Sequence, residues 1–257
     1  MKLFDWGGYS AIVTGGASGL GSAAAEKLAS TGMRVMLFDR DESSGRAQAE
    51  RIGGWFTRVD VSDPESVADG IATTRKAIGT PRILVNCAGI GGAERTVSRG
   101  SAHDPALFEH VVRVNLIGTF NCASQVAAKM VVLQPVDEDG GRGVIVNTAS
   151  VAAYDGQIGQ VAYSASKGGI VGMTLPMARD LANRGVRVCS IAPGLFLTPL
   201  LRDLPKDVVS SLGKQVPFPS RLGDPLEFAE LVNHIIQNPM LNGEVIRLDG
   251  GIRMTPR

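Results

Sequence analysis

The 257-residue sequence predicts an α/β fold in which helices cover both faces of a parallel sheet. Short apolar segments alternate with helical patterns along the whole chain, and this alternation is typical of strand–helix–strand units. The apolar segments are rich in Val, Ile and Leu without a two-residue period, as expected of strands buried on both faces. The 32 glycines supply the tight turns that such a doubly wound fold uses.

Strands are predicted by these apolar segments at residues 11–14, 35–39, 83–86, 144–148, 186–192 and 244–248. Helices are predicted at residues 20–31, 64–78, 108–133, 162–183 and 225–237. Asp63-Pro64 and Asp224-Pro225 indicate helix starts, because aspartate caps a helix and proline fits its first turn. Residues 195–219 follow a strand end and are predicted to cover a ligand site as a lid, with a simple surface excursion as the alternative.

No linker, internal repeat or low-complexity tract divides the chain, so residues 1–257 are predicted to form one domain. The net charge is +1, and the 26 basic residues are spread along the sequence without a cluster. This balance argues against nucleic acid or an anionic membrane as a partner, since both usually require a concentrated basic surface.

Cysteine usage and the N-terminal segment favour a cytoplasmic location. Cys87, Cys122 and Cys189 are far apart and the three histidines are scattered, so the sequence predicts neither disulfides nor a metal site. The first predicted strand begins without a preceding signal or transit sequence. Glycines or polar residues interrupt every apolar run before it reaches the length of a membrane span.

A glycine-rich turn, TGGASGLG at residues 14–21, lies between the first predicted strand and the first predicted helix. The GxxxGxG spacing of Gly15, Gly19 and Gly21 lets the backbone turn sharply and approach a pyrophosphate at the helix N-terminus. A P-loop is excluded because Ser22 stands where its lysine should be. Because the glycines lie between a strand and a helix, a dinucleotide-binding Rossmann fold is favoured over a purely structural turn.

Asp39 ends the second predicted strand, where a carboxylate can accept hydrogen bonds from both hydroxyls of the adenosine ribose. The same charge repels a 2′-phosphate, so NAD is the predicted cofactor rather than NADP. Arg40 argues the other way, since an arginine can accommodate that phosphate if Asp39 turns aside.

Tyr163 and Lys167 lie four residues apart in YSASK, so a helix places both on one face. A nearby ammonium is expected to lower the pKa of a tyrosine, which is otherwise too high for a general base at neutral pH. Ser150 lies at the C-terminal end of the strand segment GVIVNTAS and is placed to hydrogen-bond a substrate oxygen. These residues predict transfer of a hydride and a proton at a secondary alcohol.

Two other classes of protein share some of these residues. Ser164 and Lys167 match the SxxK of serine acyl-transfer enzymes, but the companion SDN and KTG motifs and a GxSxG elbow are absent. A catalytically silent NAD-binding protein is the second alternative, although such a protein would normally have lost one of the catalytic side chains.

Six features occur together: TGxxxGxG at residues 14–21, NCAG at 86–89, Asn115, Ser150, YxxxK at 163–167 and PG at 193–194. On these residues the whole chain resembles the short-chain dehydrogenase/reductase superfamily. The resemblance implies one domain with a parallel sheet of about seven strands, assembled as a homotetramer.

The resemblance also implies four catalytic residues: Asn115, Ser150, Tyr163 and Lys167. Tyr163 would be the acid/base, Lys167 would bind the nicotinamide ribose and tune the tyrosine, and Ser150 would polarise the carbonyl. Asn115 would hold a water in a proton relay. Taken alone, Asn115 also fits a helix residue that caps neighbouring backbone.

Cofactor contacts are implied at Gly15, Ser18, Gly19, Leu20, Gly21, Asp39, Asp60, Val61, Asn86, Cys87, Ala88, Gly89, Tyr163, Lys167, Pro193, Gly194, Phe196 and Thr198. Substrate contacts are implied at Ser150, Gln157 and Tyr163. Core packing is the alternative interpretation of Val61 and Phe196.

Longer segments, at residues 147–182, 192–201, 215–225 and 242–254, are similar to superfamily members that act on 3-hydroxyacyl-CoA. This similarity implies a short or methyl-branched (3S)-3-hydroxyacyl-CoA as the substrate, in the degradation of fatty acids or branched-chain amino acids. A hydroxysteroid or another secondary alcohol is the alternative substrate, because one fold serves many chemistries.

Overall fold

The computed structural model describes residues 4–198 and 206–256. The strands are β1 (Ser10–Thr14), β2 (Arg34–Asp39), β3 (Trp55–Arg58), β4 (Pro81–Asn86), β5 (Val97–Ser98), β6 (Ser101–Ala102), β7 (Gly143–Thr148), β8 (Val186–Pro193) and β9 (Val245–Leu248). The helices are α1 (Gly19–Ser30), α2 (Glu42–Ile52), α3 (Pro64–Ile78), α4 (Pro105–Val112), α5 (Gly118–Met130), α6 (Val161–Ala182), α7 (Lys206–Lys214) and α8 (Pro225–Gln237). A π-helical turn (Arg113–Ile117) joins α4 to α5, and a 3₁₀ turn (Val151–Ala153) follows β7.

Seven of the described strands form one sheet in the order β3-β2-β1-β4-β7-β8-β9, and every pair in it is parallel. Helices cover both faces, so the predicted doubly wound α/β fold is confirmed. The strand order reverses at β1, where the chain turns from one side of the sheet to the other. In open sheets of this kind, ligands bind beyond the carboxyl ends of the strands at that point.

Two apolar cores lie on the two faces of the sheet. On one face, Leu28 of α1 and Phe228 of α8 pack with β1 and β4 residues in a fully buried cluster. On the other face, α3, α5 and α6 contribute Ile71, Val126 and Ala178 to a second cluster. The central strands are therefore buried on both sides, which explains why their sequences lack polar–apolar alternation.

Helix starts follow the sequence closely. Asp63 accepts a hydrogen bond from the Glu65 N–H at 2.9 Å, and Asp224 forms a capping box with Glu227, as predicted for Asp-Pro starts. A third Asp-Pro pair starts α4, where Asp104 accepts from the Ala106 N–H. The predicted start of this helix at residue 108 is therefore wrong by about one turn, and the same sequence signal would have placed it.

Several elements differ from the predictions. Strand β3 and helix α2 were not predicted; β3 has four residues that are at most half-buried, and α2 is mostly polar. Strand β9 is at the sheet edge and only half-buried, unlike the central strands. The connection at residues 91–105 contains the β5–β6 hairpin. The predicted lid contains α7, and its residues 199–205 lie outside the described part of the chain.

Within residues 4–198 and 206–256, none of the helices has the length and apolar character needed to cross a bilayer.

Candidate active site

A cleft of about 800 Å³ lies at the carboxyl ends of the central strands, next to the reversal at β1. It is lined by residues from the ends of β1, β2, β4 and β7 and from the start of α6. The predicted site residues that line it are Gly15, Ser18, Gly19, Leu20, Gly21, Asp39, Asp60, Val61, Cys87, Ala88, Gly89, Tyr163, Lys167 and Thr198. The fold therefore brings together residues that are up to 183 positions apart in sequence.

The turn between β1 and α1 is built so that only glycine fits. Gly15 has φ +64°, and a Cβ on it would lie 2.7 Å from the Ala88 nitrogen. A Cβ on Gly21 would overlap the Gly15 carbonyl oxygen. Because neither glycine has a side chain, α1 packs closely on the end of β1, and the floor of the cleft consists of backbone atoms.

The N-terminus of α1 opens into this cleft without a side-chain cap. Its N-cap residue, Ser18, makes no capping hydrogen bond, and its first turn has no acidic residue. By contrast, aspartates cap α2, α3, α4 and α8. An uncapped helix N-terminus offers unpaired N–H groups and a partial positive charge, which fits the pyrophosphate of a dinucleotide.

The carboxylate of Asp39 is held at the rim of the glycine turn. Its Oδ2 accepts from the Ala17 N–H at 3.0 Å and its Oδ1 accepts from the Asp41 N–H at 3.1 Å. Arg40 turns toward Asp60, with 3.8 Å between Nε and Oδ2. Asp39 and Asp60 both line the cleft, and the Arg40 side chain pairs with Asp60.

The predicted catalytic residues Tyr163 and Lys167 line the other end of the cleft, whereas Ser150 is not part of its lining. Ser150 follows β7, and its Oγ accepts from the Ala152 N–H at 3.1 Å. Tyr163 and Lys167 lie one turn apart on α6, with the Lys167 Nζ 5.7 Å from the centre of the Tyr163 ring. Lys167 is 4% exposed, and its Nζ donates to the Thr148 carbonyl oxygen at 2.7 Å.

Burial dominates the electrostatics at this end of the cleft. Burial lowers the pKa of Lys167 to about 8, because a desolvated ammonium is less stable than a desolvated amine. Burial also raises the pKa of Tyr163, while the Ser150 side chain acts in the opposite direction. The structure thus differs from the expectation that Lys167 lowers the Tyr163 pKa: the phenol is desolvated, and the ammonium is directed to the Thr148 carbonyl.

Asn115 lies in the π-helical turn and is completely buried. Its Oδ1 accepts from the Ile90 N–H at 2.8 Å, and its Nδ2 donates to the Ile90 carbonyl at 2.9 Å and to the Ser166 Oγ at 3.1 Å. The amide thus joins the loop after β4 to helix α6. A Cβ on Gly89 would lie 3.2 Å from Asn115 Oδ1 and 3.7 Å from Lys167 Nζ. The absence of a side chain at Gly89 therefore lets its backbone lie close to both Asn115 and Lys167.

Some predicted contacts lie outside the cleft lining. Asn86 is buried behind the cleft, and its Nδ2 donates to Asn147 Oδ1 at 2.9 Å. Phe196 is 6% exposed and packs on Gly223, as its core-packing alternative states. The side chain of Gln157 donates to the Thr255 carbonyl at 3.1 Å instead of pointing into the cleft. Pro193 ends β8, and Gly194 follows it, with both residues beside Leu248.

Two threonines that the sequence analysis did not select organise the site. Thr14 Oγ1 accepts hydrogen bonds from the N–H groups of Cys87 and Ala88, both at 3.1 Å. Thr148 holds Lys167 through its carbonyl, and its hydroxyl donates to Cys87 Sγ at 3.4 Å. Both residues end buried strands at the carboxyl edge of the sheet, and that position was the available signal.

Comparison with known proteins agrees with this geometry. The family model "short chain dehydrogenase" matches residues 10–208. The chain is 55% identical over 253 residues to human 3-hydroxyacyl-CoA dehydrogenase type-2, with 97% of both chains covered. It is 51% identical over 249 residues to the Drosophila melanogaster protein of the same name, covering 95% of this chain and 97% of that protein.

A solved structure shows the same architecture. The crystal structure of 3-hydroxyacyl-CoA dehydrogenase type-2 from Mycobacterium avium superimposes with a TM-score of 0.93 at 41% identity, covering 97% of this chain and 98% of that one. The resemblance inferred from the sequence motifs is confirmed: the chain belongs to the short-chain dehydrogenase family and is an oxidoreductase.

Proposed function

We propose that the protein interconverts a (3S)-3-hydroxyacyl-CoA and the corresponding 3-ketoacyl-CoA, with NAD as the hydride carrier. The observation that carries this proposal is one cleft with the uncapped N-terminus of α1 at one end and Tyr163 and Lys167 at the other. The names of the human, insect and mycobacterial relatives support an acyl-CoA substrate. We favour a short or methyl-branched acyl chain.

The residues of the cleft fit NAD. The glycine turn and the N-terminus of α1 would hold the pyrophosphate, Asp39 would accept the adenosine ribose hydroxyls, and Lys167 would bind the second ribose. When bound, NAD accepts a hydride from the alcohol carbon, and NADH returns it to the ketone. The carboxylate of Asp39 would repel a 2′-phosphate, which favours NAD over NADP.

Ser150 and Tyr163 would act on the substrate oxygen. The Ser150 hydroxyl would donate a hydrogen bond to it and stabilise the negative charge that develops there. Tyr163 would take the hydroxyl proton during oxidation and return a proton to the carbonyl oxygen during reduction. Because burial raises the pKa of Tyr163, the phenol holds its proton at neutral pH and can donate it during ketone reduction. Oxidation requires the phenolate as the base, so we expect alkaline pH to favour oxidation.

Asn115 would support this proton transfer, either by orienting the backbone around Ile90 or by holding a water of a relay to solvent. Its contacts favour the role in orienting the backbone, since both the oxygen and the nitrogen of the Asn115 side-chain amide hydrogen-bond protein atoms.

The wider setting is also part of the proposal. A homotetramer is supported by exposed apolar side chains on the surface of α5 and the preceding turn, where Ile117 and Phe120 are 42% and 51% exposed. We propose that residues 1–257 act as one domain in the cytoplasm, where unpaired Cys87, Cys122 and Cys189 would stay reduced. The pathway would be degradation of fatty acids or branched-chain amino acids.

The test follows NADH absorbance after addition of acetoacetyl-CoA, with parallel reactions containing acetoacetate or a 17-ketosteroid. We expect rapid oxidation of NADH with the thioester and little with the other two ketones, because the CoA portion contributes binding energy. Replacing NADH with NADPH should lower kcat/KM.

Turnover of the steroid or another ketone without turnover of the thioester would reject the acyl-CoA substrate and keep the dehydrogenase chemistry. No turnover of any ketone, with NADH still bound, would favour a catalytically silent NAD-binding protein.

A further inference from the structure

A charged cluster joins the C-terminal segment to the loop that separates Ser150 from Tyr163. This connecting loop (residues 151–160) begins with the 3₁₀ turn after Ser150 and ends at the first turn of α6. Because Ser150 and Tyr163 flank the loop, its conformation sets the relative position of their two hydroxyl groups. Whatever holds the connecting loop therefore affects the geometry of proton transfer.

Arg247, on edge strand β9, is the centre of the cluster. Its Nη2 donates to Asp155 Oδ2 at 2.6 Å and to the Ile252 carbonyl at 3.0 Å, and its Nε donates to Asp249 Oδ2 at 2.8 Å. The Arg247 guanidinium also lies 5.1 Å from the centre of the Tyr154 ring. Two neighbouring residues of the connecting loop thus contact a single guanidinium.

This ion pair is more sheltered than most of the others in the described residues. The side chains of Arg247 and Asp155 are 20% and 19% exposed, whereas those of the Arg46–Glu42 pair on α2 are 69% and 51% exposed. A charge-assisted hydrogen bond at a sheltered position is screened less by solvent and constrains geometry more strongly. The Arg247 hydrogen bond lowers the pKa of Asp155 accordingly.

Main-chain contacts extend the attachment along the connecting loop. The Ile158 N–H donates to the Pro256 carbonyl at 3.0 Å, and the Gln157 side chain donates to the Thr255 carbonyl. On the opposite side, the Glu94 N–H donates to the Gly159 carbonyl at 2.9 Å. The C-terminal segment (residues 249–256) therefore holds one side of the loop, and the chain after β4 holds the other.

The end of β9 and the start of the C-terminal segment also contact the end of β8. The Gly194 N–H donates to the Leu248 carbonyl at 2.9 Å, and a Cβ on Gly194 would lie 2.8 Å from the Asp249 Cβ. Asp249 is in turn bonded to Arg247. One guanidinium thus connects the Ser150–Tyr163 loop to the PG turn that the resemblance places among the cofactor contacts.

We propose that Arg247 is a positioning residue which, through Asp155, holds the connecting loop so that Ser150 and Tyr163 face the same substrate oxygen. The C-terminal segment serves as a brace for the reacting end of the cleft and leaves the glycine turn unaffected. The inference rests on the proposed function for the roles of Ser150 and Tyr163, and its structural part is independent of which ketone is the substrate.

The test compares Asp155→Asn, Arg247→Gln and the double variant in the full-length protein. We expect each single variant to lower kcat for acetoacetyl-CoA reduction about tenfold, because misplaced reacting groups slow the chemical step. The dissociation constant for NADH should stay within about twofold, because the glycine turn is remote from the cluster. The double variant should be no slower than the slower single variant, since both changes break one contact.

Two further variants separate positioning from a general loss of stability. Arg247→Lys keeps a cation near Asp155 and should restore part of the lost kcat. Arg253→Gln removes an arginine of the C-terminal segment whose side chain hydrogen-bonds Asp249 and the Ile252 carbonyl but, among the described residues, none of the connecting loop, and it should keep kcat within about twofold. Equal losses in all variants, or parallel losses of NADH binding, would overturn the proposal.

Hydrogen exchange gives a readout without turnover. In Asp155→Asn, amides of residues 154–160 should exchange at least about tenfold faster, while those of β1 stay protected. Unchanged exchange and unchanged kcat would reject the brace. If the wild-type protein reduces a ketone other than acetoacetyl-CoA, kcat is measured with that ketone, so an incorrect substrate assignment cannot be mistaken for failure of the brace.

Discussion

The two ends of the cleft are built by different means. At the glycine turn the working surface is backbone: Gly15 and Gly21 have no room for a Cβ, and α1 opens into the cleft without a capping side chain. At the end that we propose to react, the polar groups are side chains: Ser150 and Lys167 are buried, and Tyr163 is partly buried. The first end depends on close packing of main chain, and the second depends on desolvated polar groups.

The two ends of the cleft should therefore respond differently to substitution. A methyl group added at the glycine turn changes the path of the backbone and should damage cofactor binding and stability together. A hydroxyl removed at the reacting end leaves the packing intact and should damage turnover alone. The buried ammonium of Lys167 also lowers the free energy of unfolding, because folding removes this charge from water.

Tyr163→Phe should produce the largest effect on activity. The change removes the phenolic hydroxyl and little else, so we expect kcat to fall by about a thousandfold, within the usual contribution of a general acid or base. NADH binding, measured by fluorescence titration, should stay within about twofold of wild type. A variant that retained more than a tenth of the wild-type rate would show that another group transfers the proton.

Gly21→Ala tests the opposite end. The added Cβ would overlap the Gly15 carbonyl oxygen and lie 3.2 Å from the Cys87 Cβ, so either α1 or the turn must move. We expect NADH affinity to fall by about a hundredfold and the free energy of unfolding to fall by about 1–3 kcal/mol. Calorimetric titration and urea unfolding measure the two losses.

Gly172→Ala is the matched control, because a Cβ at this exposed position of α6 would meet no described heavy atom within 4 Å apart from its chain neighbours and its own helix backbone. Alanine favours a helix over glycine, so stability should be unchanged or slightly higher. If Gly21→Ala bound NADH as well as Gly172→Ala, the glycine turn would not be the cofactor site.

Sequence patterns could predict the backbone-built end almost completely. GxxxGxG and Asp39 are adjacent to strand β1 and the end of β2, so local order is enough to place them. The fold class and the six apolar strands followed in the same way from the order of apolar segments and helical patterns along the chain. By contrast, β3 has only four residues, and Trp55 is 38% exposed, so no buried run marks it.

The reacting end could be predicted in its residue types but not in its electrostatics. Serine, tyrosine and lysine were identifiable from spacing, whereas the bond from Lys167 to the Thr148 carbonyl requires α6 to pack beside β7. Long-range contacts of this kind leave no periodic trace in a single sequence. The raised pKa of Tyr163 and the contacts of Gln157 with the C-terminal segment became apparent only in the folded chain.

Lys167→Met measures the cost of buried charge. The pKa of Lys167 is about 8 in the folded protein and about 10.5 in an unfolded chain. Below pH 8 both states carry the ammonium, and the folded state bears the full desolvation penalty. Between pH 8 and 10.5 the unfolded state binds more protons, so wild-type stability rises with pH relative to a variant without this group.

The stability difference between Lys167→Met and wild type should therefore shift by about 2 kcal/mol in favour of wild type between pH 7.5 and pH 9.5. Urea unfolding at the two pH values measures this shift, and Lys129→Met, on the exposed surface of α5, controls for loss of a lysine side chain. A difference that did not change with pH would mean that Lys167 keeps its proton throughout this range.

Substitution of Asp39 should give the smallest effect of the four. The charge of its carboxylate would select the cofactor. Its two oxygens also accept hydrogen bonds from the N–H groups of Ala17 and Asp41 and so hold the backbone of the glycine turn. Asp39→Asn keeps an oxygen acceptor but removes the charge, and Asp39→Ala removes both. We expect Asp39→Asn to weaken NAD binding about tenfold and to narrow the preference over NADP, since loss of repulsion admits the 2′-phosphate. Asp39→Ala should lose, in addition, about 1 kcal/mol of stability from the unpaired N–H groups.

Calorimetric titration with both cofactors and thermal unfolding separate the contribution of the charge from that of the two hydrogen bonds. Unchanged affinities for both cofactors in Asp39→Asn would remove the carboxylate from the ribose site and leave it only its bracing role.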